Sequence, residues 1–143
     1  MFDLGPVLRF LPDLLNGLLV TFLLTASSMV IGTVVGIILA LARLSGRAML
    51  ARPAMVYTEF FRTTPPLVHI VWAYYALPVI ADIRLDAFTV VAGALACSTS
   101  AQMAEIFRAG MLAVPRGQWD ASQVLGLSAW QRLWWVVLPQ TLR

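Results

Sequence analysis

The stretch Leu14–Ala42, LLNGLLVTFLLTASSMVIGTVVGIILALA, contains no charged residue between Asp13 and Arg43. It is longer than the ~20 apolar residues that cross a bilayer as a helix. It is also too long for the core of a signal peptide, and Met1-Phe2-Asp3-Leu4-Gly5 lacks a basic n-region, so it reads as a permanent helix. Working outward, Thr63–Ala81 is uncharged between Arg62 and Asp82, and Ala87–Ala104 is uncharged between Asp86 and Glu105. A fourth apolar run, Leu133–Leu142, is too short to cross. The expected fold is an all-α, multi-pass membrane helical bundle forming a single domain over 1–143. Its spans are expected at about 14–42, 60–81 and 87–108, with a helix-turn-helix loop at about 113–135 and the start of a fourth span.

Composition agrees with membrane residence. The chain is 60% hydrophobic and 12% charged, against about a quarter charged in soluble domains. All ten basic residues are Arg, and they fall at the ends of spans rather than in a patch interleaved with aromatics. That pattern implies lipid as a partner and excludes nucleic acid. Cys97 is the single cysteine and lies inside a span, so neither an intrachain disulfide nor a cysteine-based metal site is available. His69 has no second His or Cys nearby, so no metal site is expected, and no catalytic spacing is present. His69 reads as a buried hydrogen-bonding residue or as a residue lining a path.

The arginines set an expected orientation. Arg43, Arg47 and Arg52 follow the first span with no acid among them, whereas Ala81–Asp86 is net acidic. Arg108, Arg116, Arg132 and Arg143 outnumber Asp120 after the third span, and Asp3 and Asp13 outnumber Arg9 at the start. This predicts an external N-terminus and a cytoplasmic C-terminal segment. Ser28, Gly32, Gly36 and Ala40 recur every four residues, a small-residue ridge that lets helices approach closely. It serves either general packing or a dimer seam. Trp72, Tyr74 and Tyr75 read as anchors at the outer interface.

Two tetrads, Glu59-Phe60-Phe61-Arg62 and Glu105-Ile106-Phe107-Arg108, each place acid and base on one helix face. If spans two and three form a straight antiparallel hairpin, Glu59 meets Arg108 and Arg62 meets Glu105 at the inner end. Three readings follow. The quartet locks the hairpin, or each Arg snorkels to headgroups, or Glu105 faces a solute path.

After Pro115, Gln118–Leu125 can form two helical turns, with Asp120 in the first turn, where the helix dipole favours an acid. Gly126 suits a C-terminal stop, and Ser128 with Gln131 forms a capping box opening a second helix. Trp130, Leu133, Trp134 and Val137 fall on one apolar face suited to a membrane interface, and Pro139 ends or kinks that helix. Ala121 and Ser122 are small, so a partner could approach the first helix closely. The residues alone favour an ordinary amphipathic connector over a docking knob.

Asp120-Ala121-Ser122-x3-Gly126-x9-Val136-x-Leu138-Pro139 resembles the EAA loop of ABC importer permeases, whose pattern is Glu-Ala-Ala, Gly, then Ile-x-Leu-Pro. Three further runs resemble the polar amino-acid uptake branch: Glu59–Pro65, Tyr74–Pro78, and Glu105–Gly110 with Pro115–Gln118. Together they cover roughly residues 14–143. The resemblance implies a permease subunit without catalytic residues, in the bacterial inner membrane. Its implied partners are ABC ATPase subunits, a second permease subunit (homo- or heterodimer) and an extracytoplasmic solute-binding protein. It implies no cofactor in this chain, because ATP is bound by the partner ATPase. Gly117, Gln118, Asp120, Ala121, Ser122 and Gly126, with Leu138 and Pro139, are implied to couple to the ATPase. Asp120, Ser122, Thr64 and His69 depart from the branch's usual Glu, Ala, Gly and Gln. Branch members usually continue past the Leu-Pro with two more spans. The resemblance therefore leads to the expectation of a chain truncated after the loop, with a transport-inactive assembly partner as the alternative function.

Overall fold

The computed structural model describes residues 10–141. Asp3, Arg9, Leu142 and Arg143, on which parts of the reading above rest, lie outside the described residues. The described chain is all-helical: α1 (Leu11–Leu44), α2 (Ala48–Thr63), α3 (Pro66–Ile80), α4 (Ala87–Ala113), α5 (Arg116–Val124), α6 (Ala129–Gln131), a π-helical segment (Arg132–Val137) and α7 (Leu138–Thr141). α1 and α4 are long and apolar enough to cross a membrane. The 34 residues of α1 extend roughly 50 Å at about 1.5 Å per residue, beyond the about 30 Å of hydrocarbon.

α4 is the central element, packing against α1, α2, α3 and α7, with α1 its most extensive partner. The face of α1 buried there is the small-residue ridge Ser28, Gly32, Gly36 and Ala40. The helices approach so closely that neither glycine has room for a side chain. A Cβ on Gly32 would stand 2.7 Å from Thr99 Cγ2 and 3.1 Å from the Ser100 amide nitrogen. One on Gly36 would stand 2.6 Å from Met103 Cβ and 3.1 Å from the Ser100 carbonyl oxygen. The ridge is thus occupied within the chain by α4. Van der Waals contact between nearly bare backbones is the main attraction open to helices whose other faces meet lipid. Leu18, Phe22, Val30 and Ile38 point away from the ridge and are exposed, the inverse of a soluble helix. The hydroxyls of Thr21, Thr25 and Ser27 donate to carbonyls of the preceding turn, so α1 carries these polar groups at little cost.

The second expected span is where the structure differs. A continuous helix over 60–81 does not form. Thr64 and Pro65 are both extended, with ψ of 132° and 137°. A residue before proline is pushed out of the α region, and Pro65-Pro66 supplies this restriction twice while removing two amide donors. Residues 60–63 therefore close α2, and Pro66 opens α3 at a position where proline is tolerated. α3 has 15 residues, roughly 22 Å, so it falls short of the hydrocarbon thickness by itself.

Asp86 caps α4, accepting from the Thr89 hydroxyl at 2.6 Å and the Thr89 amide at 3.0 Å. These bonds, the hydroxyl first, hold its carboxyl below the usual carboxylate range. A depressed folded pKa means that the cap contributes above the unfolded pKa and is lost as pH falls through the folded one.

Gly36→Leu should force α1 from α4 and destabilise the fold by about 1–3 kcal/mol, read as a lowered unfolding midpoint in mixed micelles. Gly17→Leu, at a position with nothing within 4 Å, should leave the midpoint unchanged.

Candidate functional site

Where α1, α2 and α4 meet at one end of the bundle, four arginines and two acids gather. Glu105 on α4 is the hub. Arg43, in the last turn of α1, donates from Nη1 to Glu105 Oε2 at 2.6 Å and to Thr58 Oγ1 at 3.1 Å. Arg108 donates from Nε to Glu105 Oε1 at 3.1 Å, with a second bond from Nη2 to the same oxygen. Arg62 stands 4.0 Å from Glu105 and pairs with Glu59 at 3.5 Å. Charge-assisted bonds from two helices to one carboxylate are the strong kind.

The expected pairing of Glu59 with Arg108 is not made. That pairing assumed one straight helix from Glu59 into the second span, and the break at Thr64-Pro65 turns α2 away. The expected pairing of Arg62 with Glu105 is present at 4.0 Å, and Arg43 joins it on the same carboxylate oxygen. Arg43 and Thr58 were missed by the sequence reading, although Arg43 follows Ala40 by three residues and so continues the buried ridge of α1.

Close by, Ala40, Phe107, Met111, Val114 and Val137 form a buried apolar cluster, with Trp119 and Leu133 packed against it. This cluster carries the polar loop. Pro115 is extended and starts α5. α5 ends in paired bonds from the Gly126 amide to the Gln123 carbonyl and from the Leu127 amide to the Ser122 carbonyl. Gly126 has φ +72°, a conformation that glycine adopts without steric penalty. Two residues on, Ser128 and Gln131 exchange the reciprocal bonds of a capping box. The hinge is thus locked by backbone bonds on the Gly126 side and by side-chain caps on the Ser128 side.

The loop residues divide by face. Gly117, Gln118, Asp120, Ala121 and Gly126 are exposed. Ser122 is buried and donates back to the Trp119 carbonyl at 2.7 Å. Ser122 is therefore not on the accessible face, contrary to the expectation that paired it with Ala121. It lies on the side of Trp119, while Gly117, Asp120, Ala121 and Val124 share the opposite side of α5. Val124 and Leu125, at 87% and 77% exposure, belong to the accessible surface and were not singled out in the sequence. Leu138 is buried and Pro139 is exposed.

The expected single face of Trp130, Leu133, Trp134 and Val137 also splits. Trp130 and Trp134 lie edge to face outside, 5.4 Å apart, while Val137 is buried. The π-helical turn is the cause. Pro139 cannot donate to Trp135 and crowds its carbonyl, and the chain widens so that the Leu138 amide reaches Leu133 instead. The helix continues through Pro139 rather than ending there.

Between α3 and α4 lies a cavity of about 560 Å³, walled by apolar groups including Phe60, Phe61, Trp72 and Cys97. His69 lines it and is buried. Its Nδ1 is 3.2 Å from Ser98 Oγ, and its ring packs 4.6 Å from that of Phe61. Its Nε2 has no partner among the described residues. His69 is thus a buried hydrogen-bonding residue on a cavity wall. Neither Glu59 nor Glu105 is its partner, since both face arginines.

A long helix pair carrying a capped polar loop after Glu105-Ile106-Phe107-Arg108 has counterparts. The model of the binding-protein-dependent transport system inner membrane component family matches residues 32–143. The chain belongs to this family. It is 36% identical over its whole length to the probable amino-acid ABC transporter permease protein YckA of Bacillus subtilis, covering 63% of that protein. It is 32% identical to the glutamine transport system permease protein GlnP of Escherichia coli K12, with 99% of this chain and 65% of that protein covered. Among solved structures, an amino acid ABC transporter crystallised with histidines superposes with TM-score 0.85 at 33% identity, covering 99% of this chain and 66% of that one. The chain therefore spans just under two thirds of the length of these relatives. The resemblance read from the loop and its three companion runs agrees with this membership.

A double-mutant cycle on Arg43 and Glu105 should return a coupling of about 1–3 kcal/mol. The same cycle on Glu59 and Arg108 should return none.

Proposed function

We propose that this chain acts as the membrane-spanning permease subunit of an ATP-driven uptake system for amino acids. The observation that carries the coupling part of this reading is the face of α5 bearing Gly117, Asp120, Ala121 and Val124. It is exposed, small in its middle and held rigid by the backbone bonds at Gly126 and the capping box at Ser128. A partner ATPase that moves during hydrolysis needs such a handle. A mobile loop would absorb the displacement, whereas Trp119 ties α5 to the apolar cluster joining α1 and α4.

In this reading the loop end faces the cytoplasm and the N-terminus lies outside, as the arginine distribution favours. The Glu105 hub keeps α1, α2 and α4 moving as one body, so a push on α5 reaches the spans without shearing their inner ends. The cavity beside His69 belongs to the solute route, completed by a second permease subunit, and a solute-binding protein delivers cargo from the far side. The names of the relatives support amino acids as the solute class. ATP stays with the ATPase subunits, and no chemistry is assigned to this chain.

The test is crosslinking with the ATPase co-expressed, in a Cys97→Ser background. A cysteine at Ala121 should crosslink to the ATPase in membranes, and one at the inward Ser122 should not. Equal crosslinking at both positions, or none at Ala121, would overturn the docking assignment.

A further inference from the structure

A second, smaller cleft opens between the end of α1, the start of α2 and the later turns of α4. It encloses about 210 Å³ and is lined by Arg43, Leu44, Ala51, Arg52, Met55 and Arg108. Three of these six residues are arginines and none is acidic. Within the surrounding cluster, Arg43, Arg52, Arg62 and Arg108 face only Glu59 and Glu105, leaving two positive charges uncompensated. Arg52 has no ion pair among the described residues. Arg43 uses only Nη1, and Arg108 only Nε and Nη2, in their protein bonds. Arg43 Nε and Nη2 and Arg108 Nη1 are thus free to donate, and none is sealed inside the protein. The other half of the lining is apolar, and Leu44 and Met55 are exposed.

We infer that this cleft binds the headgroup of a net-anionic phospholipid. A phosphodiester presents several acceptor oxygens and matches guanidinium geometry. The acyl body attached to it meets Leu44, Ala51 and Met55. A free inorganic or sugar phosphate would use the arginines but leave that apolar lining exposed to water. The helix that carries Arg52 also has Met49, Leu50 and Val56 exposed, as suits an element lying against the interface, where arginines are drawn to anionic headgroups. The inference rests on the proposed orientation, which puts this end of the bundle at the cytoplasmic leaflet. The consequence is that one lipid would bridge α1, α2 and α4 beside the Glu105 hub.

The experiment uses the full chain in neutral detergent, with phosphatidylglycerol, phosphatidylcholine or glycerol 3-phosphate added at equal concentration. Retention is read by native mass spectrometry and stability by thermal unfolding. Phosphatidylglycerol should be retained and should raise the midpoint, whereas phosphatidylcholine and glycerol 3-phosphate should do neither. Arg52→Ala should lower phosphatidylglycerol retention about fivefold, the weight of one basic residue at an anionic surface. Arg52→Lys should recover most of it, and Arg84→Ala, in the loop between α3 and α4, should change nothing. Because Arg52 pairs with no acid, its loss leaves the Glu105 hub intact and the fold in place.

Equal retention of phosphatidylcholine would overturn the inference, as would protection by glycerol 3-phosphate alone or an Arg52→Ala protein that retains lipid like the parent. Labelling of Ser45→Cys, in a Cys97→Ser background, by a membrane-impermeant reagent tests the orientation separately. External labelling would overturn the orientation, and a missing lipid preference with Ser45→Cys protected would overturn only the lipid site.

Discussion

The contact on which the rest of this structure depends is the approach of two backbones at Gly32 and Gly36. Between helices bathed in hydrocarbon there is no hydrophobic gain from pairing, since lipid tails solvate leucine as well as a neighbouring helix does. What remains is dispersion and the fit of one surface to another. The ridge of Ser28, Gly32, Gly36 and Ala40 provides that fit by removing side chains from one partner. With α1 and α4 locked in register, Arg43 arrives opposite Glu105, and Ala40 arrives beside Phe107 and Val137. The ion hub and the seat of the loop both follow from this one register.

The two ends of the bundle are finished by different physics. At the α3–α4 turn, a short loop ends in the Asp86 cap, a local arrangement that needs no tertiary partner. At the other end, charges that would be expensive singly are held by sharing one carboxylate among arginines from different helices. A surplus of positive charge is left there, and the same arginines that tie helices together present unused donors outward. Structural pairing and ligand recognition therefore draw on one set of side chains.

Much of this architecture was legible in the chain itself. The long uncharged run of α1, the ridge within it, the stop at Gly126 and the capping box at Ser128 are coded by residues within a few positions of each other. Their conformations depend on local sterics and hydrogen bonding, which sequence spacing reports directly. Pro65-Pro66 is equally local, but the apolar run around it carries the spanning signal while the two prolines break the helix within it. Because the helix breaks there, Glu59 pairs with Arg62 and does not reach Arg108.

The sequence by itself determined the first and last long helices, where the loop is capped, and that small residues line one face of the first helix, but not the separate helix over Ala48–Thr63. Only the tertiary structure decided that this face is filled by α4, that Arg43 joins Arg62 and Arg108 on Glu105 while Glu59 stays with Arg62 alone, and that Ser122 turns inward while Ala121 turns out. The physical reason is one of range. Caps, breaks and periodicities are set by atoms a few bonds or one turn apart. Partners across the bundle are set by the angle and register at which whole helices meet, and a single proline break or a π-helical turn shifts these for every residue beyond it.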